Sequence, residues 1–287
     1  MTDSSAAPAK DSPDARLTAA LRAALAHNEL SLVLQPIYEI ATRRIVCAEA
    51  LIRWNLRGYA EIPPERFITL ADETDLIHDI GEWGLASACA HARQWIARGH
   101  REVDVSVNFT ATQFCDPGFT RRTRAVLAAS GLAAERLEIE IAAAGALRDP
   151  ATTANALAEL RKAGARVALD DVGLGGEHDA AIKRLPLQFL KVDISVVHGL
   201  PWDPAVASRV RALVELCKAQ DWSLVAEGVE TEAQLEFLRD AGCARAQGNF
   251  LSPPVAPEAF PALLGQHNAA AAPAAAPPRR GGETAAT

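Results

Sequence analysis

Short apolar runs alternate along this chain with longer stretches whose apolar positions recur at helical spacing. Eight runs read as strands: 31–38, 44–54, 103–109, 136–142, 166–171, 188–193, 223–227 and 244–250. Several are apolar without interruption, such as Val167-Ala168-Leu169, the pattern of strands buried on both faces. Helical periodicity predicts helices over 15–27, 81–98, 117–130, 151–163, 204–220 and 232–240. Gly131, Gly164 and Gly242 follow helical stretches, where C-terminal caps belong. The first two runs are only a few residues apart. A parallel crossover needs a dozen residues or more, so this pair predicts an antiparallel hairpin. The expected fold is α/β: a (β/α)8 TIM-like barrel whose first strand runs antiparallel to the rest. A doubly wound open sheet is the structural alternative.

The chain has 287 residues, and about 250 of them without an internal linker fit one such barrel, placed at 15–265. Residues 1–14 are polar, and 266–287 are rich in alanine and proline, so both flanks read as disordered. The N-terminal stretch lacks the apolar segment of a secretory signal. No run approaches the roughly 20 apolar residues of a membrane helix. A formal net charge of -7 argues against DNA and against anionic membranes as partners. Five dispersed cysteines with no C-x-x-C pair read as buried free thiols in a reducing compartment, which predicts a cytoplasmic protein.

The informative feature is where polar residues fall. Glu49 interrupts Val46-Cys-Ala-Glu-Ala-Leu-Ile52, and Asn108 follows Val105-Ser-Val107. Glu140 lies in Leu137-Glu-Ile-Glu-Ile141, and Asp170-Asp171 ends Val167-Ala-Leu169. Lys191 and Asp193 lie in Leu190-Lys-Val-Asp193, Glu227 ends Leu224-Val-Ala226, and Gln247 lies near the end of the last run. In a closed barrel the C-terminal strand ends converge on the catalytic face. Taken singly, each acid reads as an outward strand residue, and Asp170-Asp171 reads as a helix cap. Gly173-x-Gly175-Gly176 is weak as a phosphate loop, because an acidic pair precedes it. Converged carboxylates instead require neutralising cations. Oxygen donors without histidine or cysteine suit hard ions, Mg²⁺ or Mn²⁺, and an aspartate pair can bridge two of them. Chemistry alone therefore reads as metal-dependent phosphoester hydrolysis.

The motifs also carry a resemblance. Leu34-Gln-Pro-Ile37, Ala48-Glu-Ala-Leu-Ile-Arg-Trp54, Val107-Asn-Phe-Thr-Ala-Thr-Gln-Phe114, Leu137-Glu-Ile-Glu-Ile141, Leu169-Asp-Asp171, Leu190-Lys-Val-Asp193, Ala226-Glu-Gly-Val-Glu-Thr231 and Gln247-Gly248 occur in order. In these segments the chain resembles the EAL domain family of cyclic di-GMP phosphodiesterases. The resemblance implies Glu49, Asn108, Glu140 and Asp170 around one metal, with Asp170 and Asp171 at a second. Lys191 and Glu227 would orient and activate water, and Gln247 would support the metal-water shell. Gln35, Leu51 and Arg53 align with positions that contact the dinucleotide. The implied reaction opens cyclic di-GMP to linear pGpG. A homodimer and a protein partner that supplies regulation are compatible with it.

Two departures bear on turnover. Family members usually read Ile-Thr-Glu-Ser where this chain has Ile141-Ala-Ala-Ala144. After the aspartate pair they usually read Phe-Gly-Thr-Gly-Tyr-Ser-Ser, replaced here by Val172-Gly-Leu-Gly-Gly-Glu-His178. The glutamate aligned with Ala143 and the threonine aligned with Leu174 belong to a network that steadies that loop. Their joint replacement predicts a weakly held second ion and leaves two expectations open: an enzyme with weakened turnover, or a catalytically poor cyclic di-GMP receptor acting through protein partners.

Overall fold

The computed structural model describes residues 13–59, 61–173, 175 and 178–270. The flank expectations for 1–12 and 271–287, and Leu174, lie outside the described residues. Eight strands close into a barrel in sequence order. They are β1 (Leu30–Glu39), β2 (Ile45–Trp54), β3 (Asp104–Phe109), β4 (Leu137–Ala142), β5 (Arg166–Val172), β6 (Phe189–Val192), β7 (Ser223–Ala226) and β8 (Arg245–Ala246). β1 is antiparallel to both neighbours, β2 and β8, and every other adjacent pair is parallel. The reversed first strand is as the short connection predicts, and the open-sheet alternative is excluded.

The helices are α1 (Pro13–Ala24), α2 (Pro64–Asp72), α3 (Leu76–Ala97), α4 (Ala111–Phe114), α5 (Phe119–Ser130), α6 (Ala143–Ala146), α7 (Pro150–Lys162), α8 (Asp179–Ile182), α9 (Ile194–His198), α10 (Pro204–Gln220), α11 (Glu232–Ala241) and α12 (Phe260–Ala270). Gly131 and Gly242 end α5 and α11 in the left-handed conformation, at φ 68° and 84°. The main core lies between the strands and the outer helices, where Val105, Ile139, Val167 and Leu190 meet Leu157, Val210 and Leu213.

The barrel interior is layered, because alternate strand residues share a face. Ile37, Cys47, Ala168, Phe189 and Val225 form an apolar layer inside it. Two residues along those strands lie Gln35, Glu49, Asp170, Lys191 and Glu227, so the polar set sits one layer above an apolar floor. At the opposite end Asp104 and Glu138 are buried under Arg136, Arg166 and Arg245. Arg245 also lies over the Phe189 ring, 4.3 Å from its centroid.

Several boundaries differ from the sequence reading. α1 includes residues 13 and 14, and α12 includes 266–270, which composition assigns to the flanks. Asn268 Nδ2 and Oδ1 bond the carbonyl and amide of Ile45, each at 2.9 Å, so this last turn closes the free start of β2. The final strand stops at Ala246 because the chain turns at Gly248. A Cβ there would lie 2.2 Å from Val229 N, an approach only glycine permits. Cys47, Cys89, Cys217 and Cys243 are buried free thiols, but Cys115 is exposed, since it falls just after α4 at the surface.

Candidate active site

Lys191 is the centre of the barrel mouth. Its side chain is 1% exposed, and its Nζ lies 2.6 Å from Glu140 Oε2 and 2.6 Å from Glu227 Oε1. Glu49 Oε2 at 3.4 Å and Asp170 Oδ2 at 3.5 Å complete four carboxylates around one ammonium. β2, β4, β5, β6 and the end of β7 each deliver one of these groups. Glu49 is held from two further sides. Asn108 Nδ2 donates to its Oε1 at 2.6 Å, and Gln247 Nε2 donates to its Oε2 at 2.6 Å. Gln247 Nε2 also approaches Gln35 Oε1 at 3.4 Å, and Gln35 pairs with Glu49 in the β1–β2 register.

The electrostatics follow from enclosure. Burial lowers the Lys191 ammonium, but four carboxylates outweigh it and hold that group well above its ordinary range. Glu49 is pushed up by burial, yet Lys191, Gln247 and Asn108 together bring it below its usual value. Glu140 is driven well above its usual value by burial and by the neighbouring Glu49. Glu227 is raised to about 8, chiefly by burial, with Lys191 opposing. Asp171 is raised by burial and by the adjacent Asp170. One ammonium among so many acids leaves the mouth short of positive charge.

Asp170 and Asp171 are not a helix cap. β5 shifts register against β6 between Leu169 and Val172, and Asp171 occupies that irregularity at φ 57°. Its amide donates to Asp170 Oδ1 at 2.8 Å. Oxygens of Asp170, Asp171 and Glu227 lie within 4.8 Å of one another. Two buried oxygens, Glu140 Oε1 and Gln247 Oε1, have no hydrogen-bond partner. An all-oxygen donor set with orphaned acceptors fits a hard divalent cation. Asp193, the other strand-end acid, instead caps α9 by accepting from Ser195 N at 2.9 Å.

Arg53 and Leu51 stand on the rim. Arg53 Nε pairs with Glu61 Oε1 at 3.2 Å and does not reach the carboxylate cluster. Two clefts share Leu51 and Arg53. One, of about 470 Å³, includes Gln35, Glu49, Glu227 and Gln247. The other, of about 490 Å³, includes Asn108, Asp171 and Ile68. A third cleft of about 440 Å³ lies beside Ala143, between α6 and the segment after Asp171. Sequence reading missed Glu61, Asp179 and Arg209. Asp179 and Arg209 form a pair across two helices, and neither stands in a strand-end motif that would single it out.

The EAL domain family matches residues 18–254. MucR of Pseudomonas aeruginosa, a bifunctional diguanylate cyclase/cyclic di-GMP phosphodiesterase, is 37% identical over 238 residues, covering 83% of this chain and 35% of that protein. The uncharacterized protein Rv1357c of Mycobacterium tuberculosis is 35% identical over 241 residues, covering 81% of this chain and 77% of that one. Among solved structures, the PaMucR phosphodiesterase in complex with c-di-GMP superposes with a TM-score of 0.81 at 36% identity, covering 85% of this chain and 99% of that one. A barrel with one reversed strand and a carboxylate-lined mouth thus has a family, and the chain belongs to it: the EAL domain family. The chain spans about a third of the length of MucR and of the other first-ranked curated relatives. Among the described residues, no helix is long and apolar enough to cross a membrane.

Proposed function

We propose that this chain is a metal-dependent cyclic di-GMP phosphodiesterase that opens the cyclic dinucleotide to linear pGpG. The observation that carries this reading is the four-carboxylate cage around Lys191, with the Asp170, Asp171 and Glu227 oxygens within 4.8 Å of one another. Relatives named as phosphodiesterases and a neighbour complexed with c-di-GMP support the choice of ester.

Glu49, Asn108, Glu140 and Asp170 would hold one Mg²⁺ or Mn²⁺, and Asp170 and Asp171 a second. When bound, the ions would neutralise the acids and stabilise charge developing on the phosphate. Lys191 orients a water, and Glu227 accepts its proton. The hydroxyl bonds to phosphorus, the bond to the 3′ oxygen breaks, and that oxygen takes a proton from solvent, to which Glu227 returns its own. Gln247 keeps Glu49 and the water shell in place through its 2.6 Å bond. Two clefts joined at Leu51 and Arg53 suit a ligand with two bases. The Arg53 guanidinium suits its phosphate, in exchange for Glu61. Action in the cytoplasm belongs to the same proposal.

A second reading, a receptor with little turnover, is favoured by the cleft beside Ala143, whose side chain offers no carboxylate to the segment after Asp171. Incubation of purified protein with cyclic di-GMP and Mn²⁺ separates the two. Accumulation of pGpG supports the enzyme. Tight binding without product supports the receptor, and neither binding nor product overturns both.

A further inference from the structure

The acid at the root of the altered loop sits in an unfavourable backbone conformation. Asp171 has φ 57°, a left-handed conformation that is unfavourable for a non-glycine residue and persists where its surroundings hold it. Upstream, β5 is fixed by pairing with β4 and β6. Downstream, Val172 pairs with Val192, and then the regular ladder ends. Gly173 has nothing within 4 Å of the point its Cβ would occupy. The next fixed point is provided by α10. Arg209 donates from Nη1 to Asp179 Oδ2 and from Nη2 to Asp179 Oδ1, both at 2.8 Å. The same Nη2 donates to the Gly175 carbonyl at 2.9 Å. The Arg209 side chain is only 12% exposed, while Asp179 is 29% exposed and the bond to Gly175 lies at the surface. One guanidinium therefore ties both a loop carbonyl and the first residue of α8 to a long, well-packed helix. Ala143, by contrast, offers that loop no polar group.

We infer that Arg209 is a positioning residue: through Gly175 and Asp179 it anchors the loop after β5 and thereby holds the Asp171 carboxylate in place for the second metal ion. The inference rests on the two-ion reading of the site. The hydrogen bonds of Arg209 go to Asp179 and Gly175, not to the acids of the barrel mouth. Arg209 replaces from α10 the support that the loop lacks from α6. The planar fork matches both Asp179 oxygens at once and still leaves a hydrogen for Gly175, a bidentate geometry that the compact lysine ammonium does not reproduce.

The test uses the full chain, stripped with chelator and titrated with Mn²⁺ alone, with the free ion followed by electron paramagnetic resonance. Wild type is expected to bind two ions. Arg209→Met should weaken the second by about 10–100-fold, as loss of an outer support does, while sparing the first. Arg209→Lys should fall between. Amide exchange across 172–182 should accelerate in the same order, while exchange in β2–β4 stays unchanged. Asp179→Asn approaches the pair from the loop side and serves if Arg209→Met fails to fold. Asp171→Asn must remove the same ion. The inference is overturned if Arg209→Met or Asp179→Asn binds both ions as wild type does, or if wild type binds fewer than two. Two ions bound without pGpG production would overturn the enzyme reading and leave the role of Arg209 standing.

Discussion

Lys191 Nζ lies 2.6 Å from Glu227 Oε1, in a pair whose lysine is 1% exposed and whose glutamate is 16% exposed. The other three carboxylates reach the same ammonium. In metal-free protein this one cation is therefore the main counterweight to the acids of the mouth. Removing one partner of a buried pair costs about 3–5 kcal/mol, because a charge is left uncompensated. Lys191→Met should lose stability on that scale at pH 8 in chelator. The loss should shrink at pH 5.5, where Glu227, raised to about 8, carries a proton, and should be partly reversed by Mn²⁺. Thermal melts across these conditions decide it. A variant as stable as wild type at pH 8 without metal would contradict the role given to Lys191.

Glu227 carries a second prediction with two readouts. Glu227→Gln keeps the shape but cannot accept a proton, so turnover should fall by about 10²–10⁴-fold while cyclic di-GMP binding persists. The other readout is linkage in metal-free protein. The folded carboxyl titrates at about 8, above its ordinary 4.5. Between those values the unfolded chain has lost a proton that the folded chain retains, so stability falls as pH rises through this window. Glutamine has no such proton. Wild type should therefore lose stability relative to Glu227→Gln between pH 5 and 8 in chelator. Parallel melting curves for the two proteins across that range would contradict the assignment, as would wild-type turnover in the variant.

Asn268 tests the lower rim of the barrel. Its amide makes both a donor and an acceptor bond to Ile45, and His267 packs edge-on against Tyr38 at 5.2 Å. Asn268→Ala should cost about 1–3 kcal/mol, since it strands two strand-start groups. A chain ending at Gly265 should melt lower than one ending at Ala270. Equal melting temperatures would show that the last turn of α12 contributes nothing to β2.

What the sequence revealed, and what it hid, divides along physical lines. Glu49, Glu140, Asp170, Lys191 and Glu227 were legible because alternate residues on parallel strands point the same way. An acid set among apolar strand residues must then face either the lumen or solvent. The hairpin of β1 and β2 was legible from connection length. Gln247 was legible, but its strand was overextended: Phe250 drew the run on to 250, while the turn that ends pairing depends on space beside Val229. Composition misread the end of α12, because alanine suits both helix and tail, and Asn268 acts on a residue 223 positions away. Arg209 and Asp179 were invisible for a similar reason. An arginine on an amphipathic helix normally points to solvent, and nothing in its local pattern shows that it turns inward to a loop carbonyl.

Gly248 links fold to site in the last prediction. The Gln247 amide donates to Ala226 O at 2.9 Å, and the Gln247 carbonyl accepts from Val229 N at 3.0 Å. These two bonds place its side chain against Glu49. Immediately afterwards the backbone passes so close to Val229 that a Cβ on Gly248 would meet Val229 N at 2.2 Å, O at 2.3 Å and C at 2.7 Å. These are backbone atoms held by hydrogen bonds to Gln247 and Phe250, so they cannot yield as a flexible side chain would. Gly248→Ala must therefore displace one of the two segments, at a cost of about 1–3 kcal/mol for overpacking. The segment after β7 is tied to the barrel by Glu227, so the Gln247 side should move. Glu49 would then lose its 2.6 Å donor, and its carboxyl should rise. The expected outcome is a folded protein with weaker Mn²⁺ binding at the first ion and a larger loss of turnover than of cyclic di-GMP affinity. Gln247→Ala should reproduce the metal and turnover defects without the loss of stability. If Gly248→Ala matches wild type in stability and in Mn²⁺ binding, the close approach at Val229 does not position Gln247.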